Sequence, residues 1–439
     1  MSQYEKPDRG HTPIGIGVLG MGVVGTGVAR VLFQKGEELA ARIGRPISVR
    51  RILVKDPTKA RPPDVPSELL TTDPGEVLSD PDVHIVVELI GGRGAARDYL
   101  LRAIGLGKHV VTANKELVAW QGPELLSLAA GKGVHVRFEA SVAAGTPVLA
   151  PITRDLAAND ILSIRGIVNG TTNYILTQMA TNGLEFRTAL KNAQELGYAE
   201  SDPTNDIEGI DAAYKLAILC NLAWGVHMDP STVYREGIAN IEARDLTYSW
   251  RTGHTIKLLA IARKLGDVLE ARVHPALVPD TVPIAQIGGA LNAIEVETDL
   301  AGQIVFQGPG AGASPTASAV VADLIEIGRA ISLGTCSTIP PRPVNRLTVR
   351  PIDDLETRYY LRLSVTDPAD VLEPIEETLA KFRVGVHSVI HKDTGALGER
   401  AELVLMTDRA CETSLQLALK SLEELPVVHG VMMLRVEEK

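Results

Sequence analysis

A chain of 439 residues is too long for one ordinary hydrophobic core, so two or three domains are expected. With 45% hydrophobic, 22% charged and only 4% aromatic residues, it reads as an aliphatic globular protein and not as a disordered or fibrous one. A formal charge of −10 with no basic run argues against a nucleic-acid surface, and a polar start with no apolar run of about 18 residues argues against a signal peptide or membrane span, leaving the cytoplasm as the expected compartment.

From Ile14 to about Ala140, aliphatic runs alternate with amphipathic segments: IGIGVLG, a helix through VVGTGVARVLF, ISVRRILV, VHIVVELIGG, a helix from Ala95 to Leu106, HVVTA, a helix from Glu116 to Ala130, then VHVRFEA. This order predicts an α/β fold, a doubly wound parallel sheet of Rossmann type, over residues 1–145. Gly20, Gly22 and Gly25 form G-x-G-x-x-G between the first strand and its helix. There the first glycine permits the tight turn, the second lets backbone approach a pyrophosphate, and the third allows close helix packing. A nicotinamide dinucleotide is the implied cofactor. The next strand ends at LVKDP, where Asp56 suits the ribose of NAD and Lys55, Arg51 and Lys59 suit the 2′-phosphate of NADP. Both remain open, with the balance towards NADP. Lys115 follows a strand end, at the edge of the sheet where ligands of such folds sit, though a solvated lysine at a helix start reads the same way.

Residues 146–310 are mixed and predict a second α/β domain. IVNGTTNYIL sets Asn169, Gly170, Thr171 and Thr172 before an apolar helix, as an N-cap or as a site for a carboxylate. In GYAESDPTNDIEGIDAAYK five carboxylates (Glu200, Asp202, Asp206, Glu208 and Asp211) precede Lys215. Asp211 and Lys215 share a helix face, and the apolar residues around them leave no broad solvated side. A lysine so placed suits proton transfer, and the acidic loop suits an ammonium-bearing substrate, with Glu200 or Asp206 as its partner and Asp202 shaping the turn before Pro203.

A glycine-rich turn near residue 308 leads into a helix over 311–335. A linker with Pro340, Pro341, Pro343 and Pro351 is expected over 336–357, and a β-α-β-β-α-β module of ferredoxin-like type over 358–439. Cys220, Cys336 and Cys411 have neither C-x-x-C nor zinc spacing and read as reduced packing residues.

Taken together, ELIGG, VVTANKELV, FEASVAAGTP, IVNGTTNYIL, ELGYAESDPTNDIEGIDAAYK and GPGAGASPTASAVVADL resemble the homoserine dehydrogenase family over about residues 14–335. The resemblance implies interconversion of L-homoserine and L-aspartate 4-semialdehyde with NAD(P)(H), in threonine and methionine biosynthesis, by a Rossmann domain joined to a catalytic and dimerisation domain. It implies Lys215 as general acid/base with Asp211 as its partner, and Glu200, Asp206, Gly170, Thr171, Tyr198 and Lys115 as substrate contacts. Val23, Val24, Lys55, Gly91, Lys115, Gly197 and Gly312 join the three motif glycines as cofactor contacts. It also implies a sodium ion on backbone carbonyls of Glu139, Val142, Ala144 and Thr146, and a homodimer or homotetramer. The tail is similar to an ACT domain, with Asp367, Pro368 and Leu372 as motif elements, which implies L-threonine as an effector; a ligand-free dimerisation module is the plainer alternative. Rival functions are another amino-aldehyde reductase on the same scaffold and a nicotinamide sensor without chemistry. Aspartate-semialdehyde dehydrogenase would need an activated cysteine, which no context here supplies.

Overall fold

The computed structural model describes residues 12–63, 65–335, 347–366, 368–392 and 401–438. The Asp-Thr-Gly turn, Asp367, Cys336 and the first half of the expected linker lie outside them. The chain divides into two compact units. One comprises 1–160, 214–230 and 306–346; the other comprises 161–213, 231–305 and 347–439.

The first unit holds a parallel sheet in the order Leu70–Thr71, Ile47–Leu53, Ile14–Leu19, Ile85–Glu88, His109–Thr112, Val136–Arg137. The predicted strands and helices are present, joined by the helices Gly36–Ile43 and Pro74–Leu78, which the reading of the sequence did not include. VHVRFEA supplies only a two-residue strand, because its chain turns at Glu139 into a short 3-10 turn. The helix Ala313–Leu333 returns to this unit, where Val320, Leu324 and Ile327 enter the core cluster of Ile14, Ile16 and Val28. At Gly328 an added Cβ would lie 2.9 Å from the Ile43 side chain, so helix contact there requires glycine.

The opposite, N-terminal edge of this sheet carries a row of histidines. His84 Nδ1 accepts from Gly15 N at 3.0 Å, His109 Nδ1 accepts from His135 N at 3.0 Å, and the His109 and His135 rings stack at 5.3 Å. Burial, then the neighbouring imidazoles, push His109 down to about 4, and burial also lowers His84 and His135. In the unfolded chain His109 titrates at its ordinary 6.5, so the folded state is undisturbed above that value and loses stability as pH falls towards 4. His109 alone is expected to contribute ~3 kcal/mol of that loss. Urea unfolding of His109→Gln across this range should show a flatter pH dependence than the parent.

The second sheet runs Gly302–Pro309, Leu291–Thr298, Ile161–Ile167, His254–Leu265, Val268–Pro279, Val428–Val436, Tyr359–Val365, Ala401–Thr407, Val386–Lys392. Its spine is the antiparallel hairpin of His254–Leu265 and Val268–Pro279, closed by Gly266 at φ +61° and Asp267. The C-terminal module has the expected β-α-β-β-α-β order, with helices Pro368–Lys381 and Glu412–Glu423 and strand order 4-1-3-2. It is not set apart, however: Val428–Val436 pairs in parallel with Val268–Pro279 at Ala276↔Arg435 and Leu277↔Val436. The described part of the linker is also structured, since Thr348–Val349 pairs with Val268–Leu269 and Glu356–Thr357 with Ala410–Cys411.

This junction is lined with buried charge. Arg362, on the polar face of its strand, meets Asp245 at 2.6 Å and Glu242 at 3.0 Å, and Arg272 meets Glu437 and Glu270, each at 2.9 Å. The partners satisfy charges that would otherwise be costly to bury. Of the cysteines, Cys220 is buried as expected, whereas Cys411 is only partly so and donates to Asp353 O.

Candidate active site

Each unit holds candidate site residues, Lys215 falling with the glycine turn in the first and Asp211 in the second. In the first unit, Gly20 turns the chain at φ +99°, and a Cβ there would sit 2.8 Å from Leu89 O; a Cβ on Gly25 would sit 2.3 Å from Gly20 O. Gly22, the N-cap of the helix Val23–Gln34, has nothing within 4 Å of its would-be Cβ, which is the open approach a phosphate needs. Val23 and Val24 begin that helix, and Val23 is one of the most exposed large apolar residues described. Glu88, fully buried, accepts from Ile90 N and Gly91 N at 2.8 and 3.0 Å and from Thr112 Oγ1 at 2.5 Å. It thereby fixes the ELIGG turn, where Gly91 has φ +81°.

Beside Gly22 opens a cavity of about 850 Å³ whose lining includes Arg30, Lys35, Arg42, Lys59 and Arg61 against a single acid, Glu38. Of the basic residues that the sequence sets at this strand end, Lys59 lines it; Lys55 does not, and Arg51 instead faces Glu76 at 3.5 Å. Asp56 accepts from Thr58 N and Thr58 Oγ1 at 2.8 and 2.6 Å, bonds that hold its carboxyl below the usual range and occupy one of its oxygens. Gly312, at φ +115°, caps Ala313–Leu333, and Ala313 also lines the cavity. Lys115 starts the helix Lys115–Lys132, capped by Asn114 Oδ1, which accepts from Leu117 N at 3.1 Å.

The FEASVAAGTP turn is also in this unit. Glu139 accepts from Val148 N, Leu149 N and Ala150 N, and its own N–H donates to Asp323, whose carboxyl burial pushes up to about 8. Ala143 and Ala144 hold positive φ angles of 52° and 31°, and the buried Thr146 hydroxyl has no hydrogen-bond partner. Strained non-glycine backbone beside an orphaned oxygen fits a cation held by carbonyls. The sequence could not show the role of the Glu139 side chain, because its partners are backbone amides.

In the second unit, Asn169 caps the helix Gly170–Asn182 through Oδ1, which accepts from Thr172 N at 2.9 Å. Its Nδ2 donates to Asp206 at 2.7 Å and to Asp211 at 2.9 Å. One amide therefore ties two of the predicted acids together, a role that capping alone did not reveal. Gly170 sits under Ala290, where a Cβ would come within 2.6 Å of its carbonyl oxygen. Thr171 Oγ1 donates to Tyr198 O at 2.8 Å, and the Tyr174 and Tyr198 rings lie 5.0 Å apart. Gly197 makes its turn at φ +75°, and Glu200 is exposed two residues beyond Tyr198. Asp202 shapes the turn as expected, accepting from Thr204 N and Oγ1. Asp211 and Lys215 occupy successive turns of the helix Ile210–Trp224 and are only 3% and 8% exposed, so the pair is as dry as the apolar flanks imply.

Comparison with known proteins gives these features a context. A family model described as homoserine dehydrogenase matches residues 147–325, and one described as homoserine dehydrogenase, NAD binding domain, matches residues 20–139. The homoserine dehydrogenase of Neisseria gonorrhoeae is 42% identical, over 97% of this chain and 99% of its own. That of Bacillus subtilis is 38% identical, over 95% of this chain and 96% of its own. A crystal structure of a homoserine dehydrogenase from Thiobacillus denitrificans superposes with a TM-score of 0.89 at 42% identity, covering 97% of this chain and 98% of that one. A hyperthermophilic archaeal homoserine dehydrogenase in complex with NADPH superposes with a TM-score of 0.61 at 28% identity, covering 72% of this chain and 97% of that one.

Proposed function

Since the chain belongs to the homoserine dehydrogenase family, a family of reversible oxidoreductases of amino-acid biosynthesis, we propose that it interconverts L-homoserine and L-aspartate 4-semialdehyde with Lys215 as the proton-transfer group. The observation that carries this reading is the Asn169 amide bridging Asp206 and Asp211 at the start of the helix that bears Lys215. Asp206, with Glu200, holds the substrate ammonium; Gly170, Thr171 and Tyr198 frame the same end of the molecule, and Lys115 lies against the substrate and the nicotinamide. A bound nicotinamide supplies or accepts the hydride at substrate C4. In the oxidation direction Lys215 takes the C4 hydroxyl proton as the carbonyl forms, and in reduction it returns a proton to the developing alkoxide. Asp211, one helical turn earlier on the same helix face, is its partner in the pair.

NADP(H) is the favoured cofactor in this reading. Asp56 is engaged by Thr58, and the cavity beside Gly22 presents Lys59 and Arg61 among its cations, a lining suited to an additional phosphate. Lys59→Ala is expected to raise KM for NADP by about 10-fold while leaving KM for NAD within about 2-fold, the difference a single charged phosphate contact makes. A sodium ion on the carbonyls of Glu139, Val142, Ala144 and Thr146 would brace the turn without taking part in a chemical step.

The ferredoxin-like topology supports an ACT-type effector role for the C-terminal module, with L-threonine as ligand. The same reading has the chain work as a homodimer or homotetramer in the cytoplasm; no described helix is long and apolar enough to cross a membrane. Assay of the purified protein with homoserine and each nicotinamide tests the whole assignment, and failure to oxidise homoserine with either would remove it.

A further inference from the structure

The last strand of the C-terminal module reaches the acid-bearing turn of the substrate site through a short strap of residues, 234–241. Arg435 is 1% exposed, and its Nε and Nη2 donate to Glu412 at 2.9 and 2.6 Å. Its remaining donors leave the module: Nη1 reaches Glu236 at 2.9 Å, Nη2 reaches the Tyr234 hydroxyl at 3.1 Å, and the guanidinium lies 5.2 Å from the centre of the Tyr234 ring. Tyr234 in turn donates to Glu236. The strap pairs with Arg272 and Val273 and then passes directly beneath the short helix Thr204–Ile207. At Gly237 the approach is so close that a Cβ would stand 2.3 Å from Ile207 O and 2.9 Å from Glu208 Cα, and Ile238 N donates to the same Ile207 carbonyl at 2.9 Å. Asp206 is the neighbouring residue on that helix.

We propose that Arg435 is a positioning residue for the acids of the substrate site: by clamping Glu236 it holds the strap against Ile207, and so sets Asp206 in register with Asn169 and Asp211. The C-terminal module then acts on substrate affinity through side-chain contacts and one backbone hydrogen bond, without touching substrate. A fork of five donors is needed for this, because three directions must be held at once, and a lysine cannot reproduce it. The proposal rests on the reading of Asp206 as a substrate contact.

The test is steady-state kinetics on the full chain. Glu236→Gln, at a position partly open to solvent, and Arg435→Lys are each expected to raise KM for homoserine about 5- to 50-fold while KM for the nicotinamide stays within about 2-fold. The double variant should be no worse than the poorer single one, as for two residues in one contact. Gly237→Ala disturbs the strap downstream of Arg435 and should raise the same KM. If Arg435→Lys does not fold, Glu236→Gln and Gly237→Ala decide. Unchanged KM for homoserine in Glu236→Gln overturns the proposal, as does an equal loss for both substrates, the sign of a merely structural role. Asp206→Asn separates the proposal from the reading beneath it. A normal KM for homoserine in that variant removes the reading, whereas a raised KM there with a normal one in Glu236→Gln removes only the strap.

Discussion

Replacing Lys215 by alanine is expected to lower kcat by about 10²- to 10⁴-fold, the range that a lost general acid/base commands, with nicotinamide affinity unchanged. The separation follows from what each group touches: Lys215 is not among the residues that line the basic cavity, and neither the glycine turn nor the Glu88 hydrogen bonds are built on it. A tight-binding but inactive variant, followed by fluorescence titration with the reduced cofactor, is the expected outcome. Near-normal turnover would sink the role assigned to Lys215 while leaving the family untouched. Lys215→Arg should rescue little, because a guanidinium does not release its proton near neutral pH.

Asn169→Ala is expected to have the next largest effect, a fall in kcat/KM for homoserine of about 10²- to 10³-fold together with a loss of about 2–4 kcal/mol of stability. The figure combines the loss of an N-cap, typically about 1 kcal/mol, with the loss of hydrogen bonds to carboxylates, about 1.5–3 kcal/mol for each such contact, discounted because the site can relax. The two consequences can be separated. Asn169→Ser keeps an oxygen able to cap the Thr172 amide but has no second arm for Asp206 and Asp211, so stability should largely return while catalysis stays impaired. Denaturant unfolding beside kinetics reads both, and recovery of activity in the serine variant would show that capping was the whole contribution.

Legibility in the sequence followed distance along the chain. The dinucleotide turn was plain because Gly20, Gly22 and Gly25 act within a few residues of each other, and the dry pair Asp211 and Lys215 was plain because one helical turn carries both its members and its apolar flanks. Asn169 read as a cap or part of a carboxylate site and not as a bridge between acids, since Asp206 and Asp211 lie 37 and 42 residues away. Glu88 and Glu139 were invisible as organisers for another reason: their partners are backbone amides, which every residue type supplies. The C-terminal module was recognisable in topology, whereas the pairing of Val428–Val436 with Val268–Pro279 was not, because it spans more than 150 residues and no local pattern encodes it. Nothing local in the sequence marks Arg362 and Arg435 as buried, and only the opposing Asp245, Glu236 and Glu412 explain why they are.

The return of the helix Ala313–Leu333 to the dinucleotide fold has a consequence for how the chain emerges from the ribosome. Its first strands are made early, but the apolar surface around Val28 and Ile43 is covered only when Val320, Leu324 and Gly328 arrive. Between residues 160 and 333 the nascent chain must carry that open surface for roughly 10–35 seconds at ordinary elongation rates. The segment that carries Asn169, Asp206 and Asp211 is synthesised inside this interval, so the dinucleotide fold cannot close until that segment has been made, and a ribosome stalled before residue 313 would hold an exposed core for chaperones to shield.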